Sequence, residues 1–204
     1  MSATLISIIG PPAVGKTTLA ELLAGKLDAD LIYEDFESNP FLVESFTGRD
    51  DLFLPSQLYF MLSRARQLGR AFWPESGVVV ADYGYCQDRI YAAGKLDQGD
   101  LARYDDLADR IADTLVEPTV LVHLDASVET LLDRIGRRGR EYERTFTREF
   151  LAYMRQAHVG IEPPAGCEII HVETDTLDPR EDLTLSDLVS RLRATLAAIE
   201  GSRP

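Results

Sequence analysis

Cysteine is nearly absent from this 204-residue chain, which has Cys86 and Cys167 and no others. So distant a pair makes neither a zinc-ligand spacing nor a disulfide framework, and this fits a reducing cytoplasm. Histidine is almost as scarce. His123, His158 and His171 are scattered along the sequence, form no Ser-His-Asp or metal-ligand pattern, and read as core or surface residues. No apolar run approaches the roughly 18 residues needed to span a bilayer, and the first residues lack the basic segment of a signal peptide. A soluble, cytoplasmic protein with no membrane partner is expected. Positive charge is also short: 21 Lys and Arg stand against 34 Asp and Glu, a net charge of −13. A nucleic-acid footprint needs a basic face, so that partner class is disfavoured. The length suits one well-buried domain over residues 1–204 and is too short for two with a linker.

Against those absences, one stretch is rich in meaning. Gly10, Pro11, Pro12, Ala13, Val14, Gly15, Lys16, Thr17 and Thr18 fit G-x-x-x-x-G-K-[ST], the pattern of a phosphate-binding loop. Its context agrees: Leu5, Ile6, Ile8 and Ile9 read as a buried strand before it, and Leu19, Leu22, Leu23 and Leu27 fall at helical spacing after it. Gly10 and Gly15 permit backbone conformations that a Cβ forbids, so N–H groups at a helix N-terminus converge on phosphate oxygens. Lys16 then reaches the outer phosphates of ATP, and Thr17 offers a hydroxyl to Mg²⁺. Pro11 and Pro12 carry no N–H, which removes two donors and stiffens the loop.

Further along, Leu31 to Tyr33 reads as a second strand delivering Glu34 to the carboxyl edge of a sheet, where open α/β folds bind ligands. A helix is expected over Ser56 to Leu68, with Leu58, Met61, Leu62 and Ala65 as its core stripe. Gln57 and Arg64 share one face of it, either to read a planar ligand edge or as its wet side. Val78 to Ala81 forms a strand ending in Asp82, the best second acid near the loop and a candidate Mg²⁺-linked group. Asp88 and Arg89 open the next helix. A long packing helix is expected from Asp100 to Val116 on Leu101, Tyr104, Leu107, Ile111 and Leu115. Val120 to Leu124 is a strand, and Ser127 is placed to cap the helix that follows. Thr147 to His158 is a helix, Glu168 to Val172 a last strand, and Thr184 to Ile199 a closing amphipathic helix.

One basic patch interrupts this acidic chain: Arg134, Arg137, Arg138 and Arg140 crowd around Gly136 and Gly139, with Glu141 and Glu143 beyond. Four guanidinium groups so close repel one another unless an anion arrives, and a glycine-hinged lid over about 136–144 closing on a polyphosphate supplies one. The alternative is a solvated arginine face paired with neighbouring glutamates. Alternating strands and helices behind a phosphate loop describe a three-layer α/β domain with a five-stranded parallel sheet. A switch GTPase would also carry Asn-Lys-x-Asp and a strand followed by Asp-x-x-Gly, and neither occurs. A small-molecule kinase needs an acceptor site, a carboxylate beside a hydroxyl, Mg²⁺ and cations over the transferring phosphoryl group. Lys16, Thr17, Glu34, Asp82 and the arginines supply that set.

Taken together, the phosphate loop, Tyr33-Glu34, Asn39-Pro40-Phe41-Leu42, Gln57 ahead of Leu62-Ser63-Arg64, Asp82-Tyr83 with Asp88-Arg89, and Arg134 through Arg138-Gly139-Arg140 to Glu143 resemble the deoxynucleoside kinase family, in particular its bacterial purine-deoxynucleoside branch. The resemblance covers most of residues 4–175. It implies a P-loop kinase-like fold, a homodimer, and transfer of the ATP γ-phosphate to the 5′-hydroxyl of deoxyguanosine or deoxyadenosine, with deoxycytidine also open. It further implies that Glu34 is the general base, with Asp82 as the other candidate, and that Asp82 also supports Mg²⁺. Gln57, Arg64 and Asp88 then read the base, Arg134, Arg138 and Arg140 embrace the phosphates together with catalytic Lys16, and Glu143 holds the sugar 3′-hydroxyl. Two positions depart from the family pattern. Phe46 stands where a tyrosine usually helps hold the 3′-hydroxyl, and Tyr83 stands where many members have an arginine, which shifts more of the charge compensation to the lid. A nucleoside-monophosphate kinase would want arginines at the acceptor, yet residues 35–57 contain Arg49 alone. A nucleotide-binding regulator without turnover is a further alternative.

Overall fold

The computed structural model describes residues 2–176 and 182–202. Five strands, β1 (Thr4–Ile9), β2 (Asp30–Ile32), β3 (Val78–Ala81), β4 (Val120–Asp125) and β5 (Glu168–Glu173), pair in parallel in the order β2-β3-β1-β4-β5. Near-continuous Val, Ile and Leu runs in β1, β3 and β4 suit strands covered on both faces. All six residues of β1 are buried.

Among the described residues eight α-helices wrap the sheet: α1 (Lys16–Leu27), α2 (Leu42–Phe46), α3 (Phe53–Leu68), α4 (Asp88–Lys95), α5 (Gln98–Ala112), α6 (Val128–Arg138), α7 (Arg148–Val159) and α8 (Asp182–Ser202). On one face Ile6, Ile8, Val80 and Val122 pack against Leu19 and Leu23 of α1, Leu131 and Ile135 of α6, and Leu188 and Leu192 of α8. On the other, Leu5, Val79 and Ala81 meet Leu68 of α3, Ile111 of α5 and Leu115 just beyond it. A third cluster, Met61, Ala92 and Tyr104, ties α3, α4 and α5 together. Because β1 has β3 on one side and β4 on the other, the crossovers leave a crevice at its carboxyl end, where such sheets bind ligands. No described helix is long and apolar enough to cross a membrane.

Several expectations need correction. The inner stripe of α3 is Phe53, Gln57, Met61, Arg64 and Leu68, whereas Leu62 is 62% exposed. The helix starts earlier than Ser56 and turns its polar pair inward, because two carboxylates wait there to compensate Arg64. Asp97 caps α5 by accepting from the Asp100 N–H at 2.8 Å, so that helix begins before Asp100. It ends at Ala112, Leu107 is 43% exposed, and Leu115 lies beyond the helix, bridged to Gly69. β2 stops at Ile32, leaving Tyr33 largely exposed. Ser127 does cap α6, accepting from Thr130 N, and Thr147 caps α7. The three histidines converge rather than scatter: His123 Nδ1 lies 3.0 Å from His171 Nδ1, and the His123 and His158 rings stack at 6.4 Å. Parallel β4 and β5 place His123 and His171 in register, which sequence separation hides.

Candidate active site

The loop after β1 turns sharply. Gly10 (φ 146), Ala13 (φ 62) and Gly15 (φ 107) all adopt positive φ. At Gly10 a Cβ would stand 2.4 Å from the Leu124 carbonyl oxygen, so glycine is required by space as well as by conformation. The Lys16 ammonium folds back over the loop and donates to the carbonyls of Gly10 (2.8 Å) and Pro11 (3.1 Å). Burial lowers its pKa from 10.5 to about 8, with the charges of Glu34 and Asp82 opposing that shift.

Asp82, just beyond β3, joins the two halves of the site. Its Oδ2 accepts from the Thr17 hydroxyl at 2.6 Å and its Oδ1 from the Glu34 N–H at 2.7 Å. Burial raises the pKa of this carboxyl, while both hydrogen bonds pull it the other way. A hydroxyl and a carboxylate side by side are hard oxygen donors of the kind Mg²⁺ takes alongside phosphate oxygens and water. Among the described residues no three His, Cys, Asp or Glu side chains cluster as an all-protein metal cage.

Glu34 meets Arg64 of α3 through its Oε1, and the other arm of Arg64 meets Asp88 at the start of α4. Burial works against the Arg64 charge, but Glu34 more than offsets it and holds the guanidinium above its usual range. On the far wall Glu143, 2% exposed, pairs with Arg138 and lies 3.6 Å from Arg140. Its Oε2 is buried without a hydrogen-bond partner among the described residues, a costly state that an added donor would relieve.

These residues line one cleft of about 660 Å³ that includes the phosphate loop, Glu34, Phe46, Gln57, Arg64, Asp82, Arg134, Arg138, Arg140 and Glu143. Lys16 and the arginine segment therefore face the same space. Asp88 stands behind Arg64 rather than on the cleft wall. Phe46 packs edge-on to Phe53 and Phe146 at 5.5 and 5.3 Å, with Tyr142 6.1 Å away.

The arginines divide their tasks. Arg134 donates to the Val14 carbonyl at 3.1 Å and to the Thr174 hydroxyl and carbonyl at 3.0 and 2.5 Å, tying the phosphate loop to the end of β5. Arg137 pairs with Asp133 of its own helix at 2.9 Å. Arg138 and Arg140 are left over the cleft, Arg140 lying 3.8 Å from the centre of the Phe36 ring. Gly136 is inside α6, and Gly139 (φ 70) ends that helix in the left-handed conformation, so only the second glycine sits where the backbone favours glycine. Arg138 thus pairs with a neighbouring glutamate, as the alternative reading has it, but Glu143 is buried rather than solvated.

Phe36, Phe60, Tyr91, Tyr142, Thr174 and Asp175 also line the cleft and were not anticipated. Thr174 and Asp175 follow the last strand and could have been found by the same carboxyl-edge rule that found Glu34. The aromatic residues gave no such signal, since their patterning is that of ordinary core. Tyr83 is fully buried and donates its hydroxyl to Gln67 Oε1 at 2.8 Å.

Comparison with known proteins agrees with this geometry. The profile of the deoxynucleoside kinase family matches residues 6–182. A deoxyguanosine kinase of Bacillus subtilis (strain 168) is 31% identical over 153 residues, covering 74% of each chain. A deoxyadenosine/deoxycytidine kinase of the same organism is 28% identical over 187 residues, covering 88% of this chain and 86% of its own. Among solved structures, deoxyadenosine kinase from M. mycoides with bound dCTP superposes with a TM-score of 0.77 at 20% identity, over 94% of this chain and 100% of that one. With the strand order, the phosphate loop and the facing carboxylates already in place, a match over most of its length shows that this chain belongs to the deoxynucleoside kinase family.

Proposed function

We propose that this deoxynucleoside kinase transfers the γ-phosphate of ATP to the 5′-hydroxyl of a purine deoxynucleoside, deoxyguanosine or deoxyadenosine, with deoxycytidine as a further candidate acceptor. The observation that carries the reading is the Asp82 bridge, which links the Thr17 hydroxyl of the phosphate loop to the backbone of Glu34. It brings the donor site and the acceptor carboxylate within one hydrogen-bonded unit. Both Asp82 oxygens are engaged, whereas Glu34 has a side chain 26% exposed and uses Oε1 for Arg64, so Glu34 is the better placed proton acceptor. Thr17 and Asp82 are the residues that would hold Mg²⁺, which would neutralise phosphate charge during the transfer. Arg138 and Arg140, opposite Lys16, stabilise the charge of the transferring group.

An uncharged acceptor is supported by the fate of the cations near it. Among the described residues Arg64 is already compensated by two carboxylates, and Arg49 is exposed and paired with Asp51 at 2.8 Å, so neither is spare for the phosphate of a monophosphate substrate. Gln57 lines the cleft and is buried, which suits paired hydrogen bonds to a base edge. The relatives named for deoxyguanosine and for deoxyadenosine and deoxycytidine support a purine preference. The proposal extends to a cytoplasmic homodimer pairing through helices that flank the sheet, which light scattering in solution tests.

A panel of the four deoxynucleosides and their monophosphates with ATP and Mg²⁺, followed by ADP release, is the direct experiment. Turnover is expected with deoxynucleosides, purines foremost. Turnover with monophosphates alone overturns the assignment. Glu34→Gln is expected to cut kcat by about 10²–10⁴, and an unchanged rate would move the proton-acceptor role to Asp82.

A further inference from the structure

We propose that Arg64 is a positioning residue for Glu34, supplying beside the proposed general base the cation that residue 83 does not provide. This rests on the reading of Glu34 given above. The side chain of Arg64 is 5% exposed, and a buried guanidinium stays charged. Its charge must therefore be met locally, and it is met twice: by Asp88 on Nη1 and by Glu34 on Nη2.

The two partners are not equivalent. Asp88 is as buried as Arg64, with a side chain 3% exposed, and sits in the first turn of α4; Glu34 lies at the cleft. The Arg64–Asp88 pair is thus the fixed half, and Glu34 is the carboxylate being placed. The guanidinium itself cannot swing, since its central carbon lies 5.3 Å from the ring centres of both Phe60 and Tyr83. A planar fork clamped in this way dictates where a carboxylate oxygen can lie.

Other cations do not fill this place. Tyr83 gives a ring face to Arg64 and turns its hydroxyl to Gln67. The Lys16 ammonium is engaged by the carbonyls of Gly10 and Pro11. The lid arginine Arg138 is paired with Glu143. Among the described residues Arg64 is the cation in contact with Glu34, so the compensation expected from the lid comes instead from the base-recognition helix. One residue then serves both ends of the acceptor, and loss of its fork disorders Glu34 even when the base still binds.

The test compares Arg64→Gln, Arg64→Lys and the double variant Arg64→Gln/Asp88→Asn, each with Glu34 and with Glu34→Gln. The double variant removes the buried carboxylate that would otherwise be left without its partner, and near-ultraviolet circular dichroism checks folding. Single-turnover rates and KM are read with the best deoxynucleoside found for the wild-type chain. With Glu34 present, the double variant is expected to lower the rate about 10²-fold, the effect of misplacing a reacting group by about 1 Å. With Glu34→Gln, the further loss is expected to be under about threefold, because the group being positioned is gone. Arg64→Lys, which keeps the charge without the fork, should recover part of the rate. A variant whose KM rises while its rate holds, or equal losses with and without Glu34, overturns the positioning role. Absence of wild-type turnover with every deoxynucleoside is a separate failure, and it overturns the kinase reading first.

Discussion

Lys16 offers a prediction that can be worked through quantitatively. Its ammonium is half-buried, bonded to two loop carbonyls, and has its pKa lowered from 10.5 to about 8 by burial. That difference corresponds to about 3 kcal/mol disfavouring the charged form. Since the folded pKa lies below the unfolded one, the unfolded chain holds more protons between pH 8 and 10.5, and the Lys16 contribution to stability rises with pH through that window. A polyphosphate reverses the balance by bringing negative charge to the ammonium. If ATP binds the protonated lysine, binding takes up about 0.1 proton at pH 7, about 0.5 at pH 8 and about 0.9 at pH 9, values that follow from a pKa of about 8. Affinity should then fall toward tenfold per pH unit above 8. Titration calorimetry of ATP binding in two buffers of different ionisation enthalpy measures the uptake directly. Lys16→Met should bind ATP weakly and without this pH dependence. Equal proton uptake at pH 7 and pH 9 would refute the argument, because it would mean that the lysine does not change protonation when the phosphates arrive.

Three further outcomes are expected. Gly10→Ala places a Cβ 2.4 Å from the Leu124 carbonyl at φ 146; thermal melts with and without ATP should show a loss of roughly 2 kcal/mol or more and little stabilisation by nucleotide. Gln57→Ala should raise KM and flatten base preference by about 1–3 kcal/mol, roughly 5- to 150-fold in relative kcat/KM, with kcat little changed. Asp175 accepts from Ser127 N, Ser127 Oγ and Thr130 Oγ1, and these bonds lower its carboxyl to about 2. The stability difference between wild type and Asp175→Ala should therefore be complete above the ordinary aspartate range and vanish as pH falls through about 2, as read by denaturant melts at several pH values.

The contrast between α3 and the phosphate loop explains how far the sequence could be read. In the loop, fixed spacing and local backbone chemistry coincide, so Gly10, Gly15, Lys16 and Thr17 were legible without the fold. Asp82 and Glu34 were legible because a strand ending in a carboxylate has one place to go in a parallel sheet. In α3 the usual rule failed: Leu62 was expected inward and is 62% exposed, while Gln57 and Arg64 are each 4% exposed. Apolar periodicity assumes that burial follows hydrophobicity, and a helix lining a cleft inverts this where charges are compensated across the interior. The histidine cluster was missed for a related reason, since His123 and His171 meet only through the β4–β5 register and His158 reaches His123 from α7.

By itself, then, the sequence determined the order of strands and helices, the phosphate loop and the acidic residues at strand ends, all of which depend on neighbours within about one element. The tertiary structure alone decided which charges compensate which. Arg64 with Glu34 and Asp88, and Arg134 with Val14 and Thr174, span 30, 24, 120 and 40 residues of chain. The physical reason is that a buried charge is governed by what lies within a few ångströms of it in space, and spacing along the chain carries no record of that for partners on different elements.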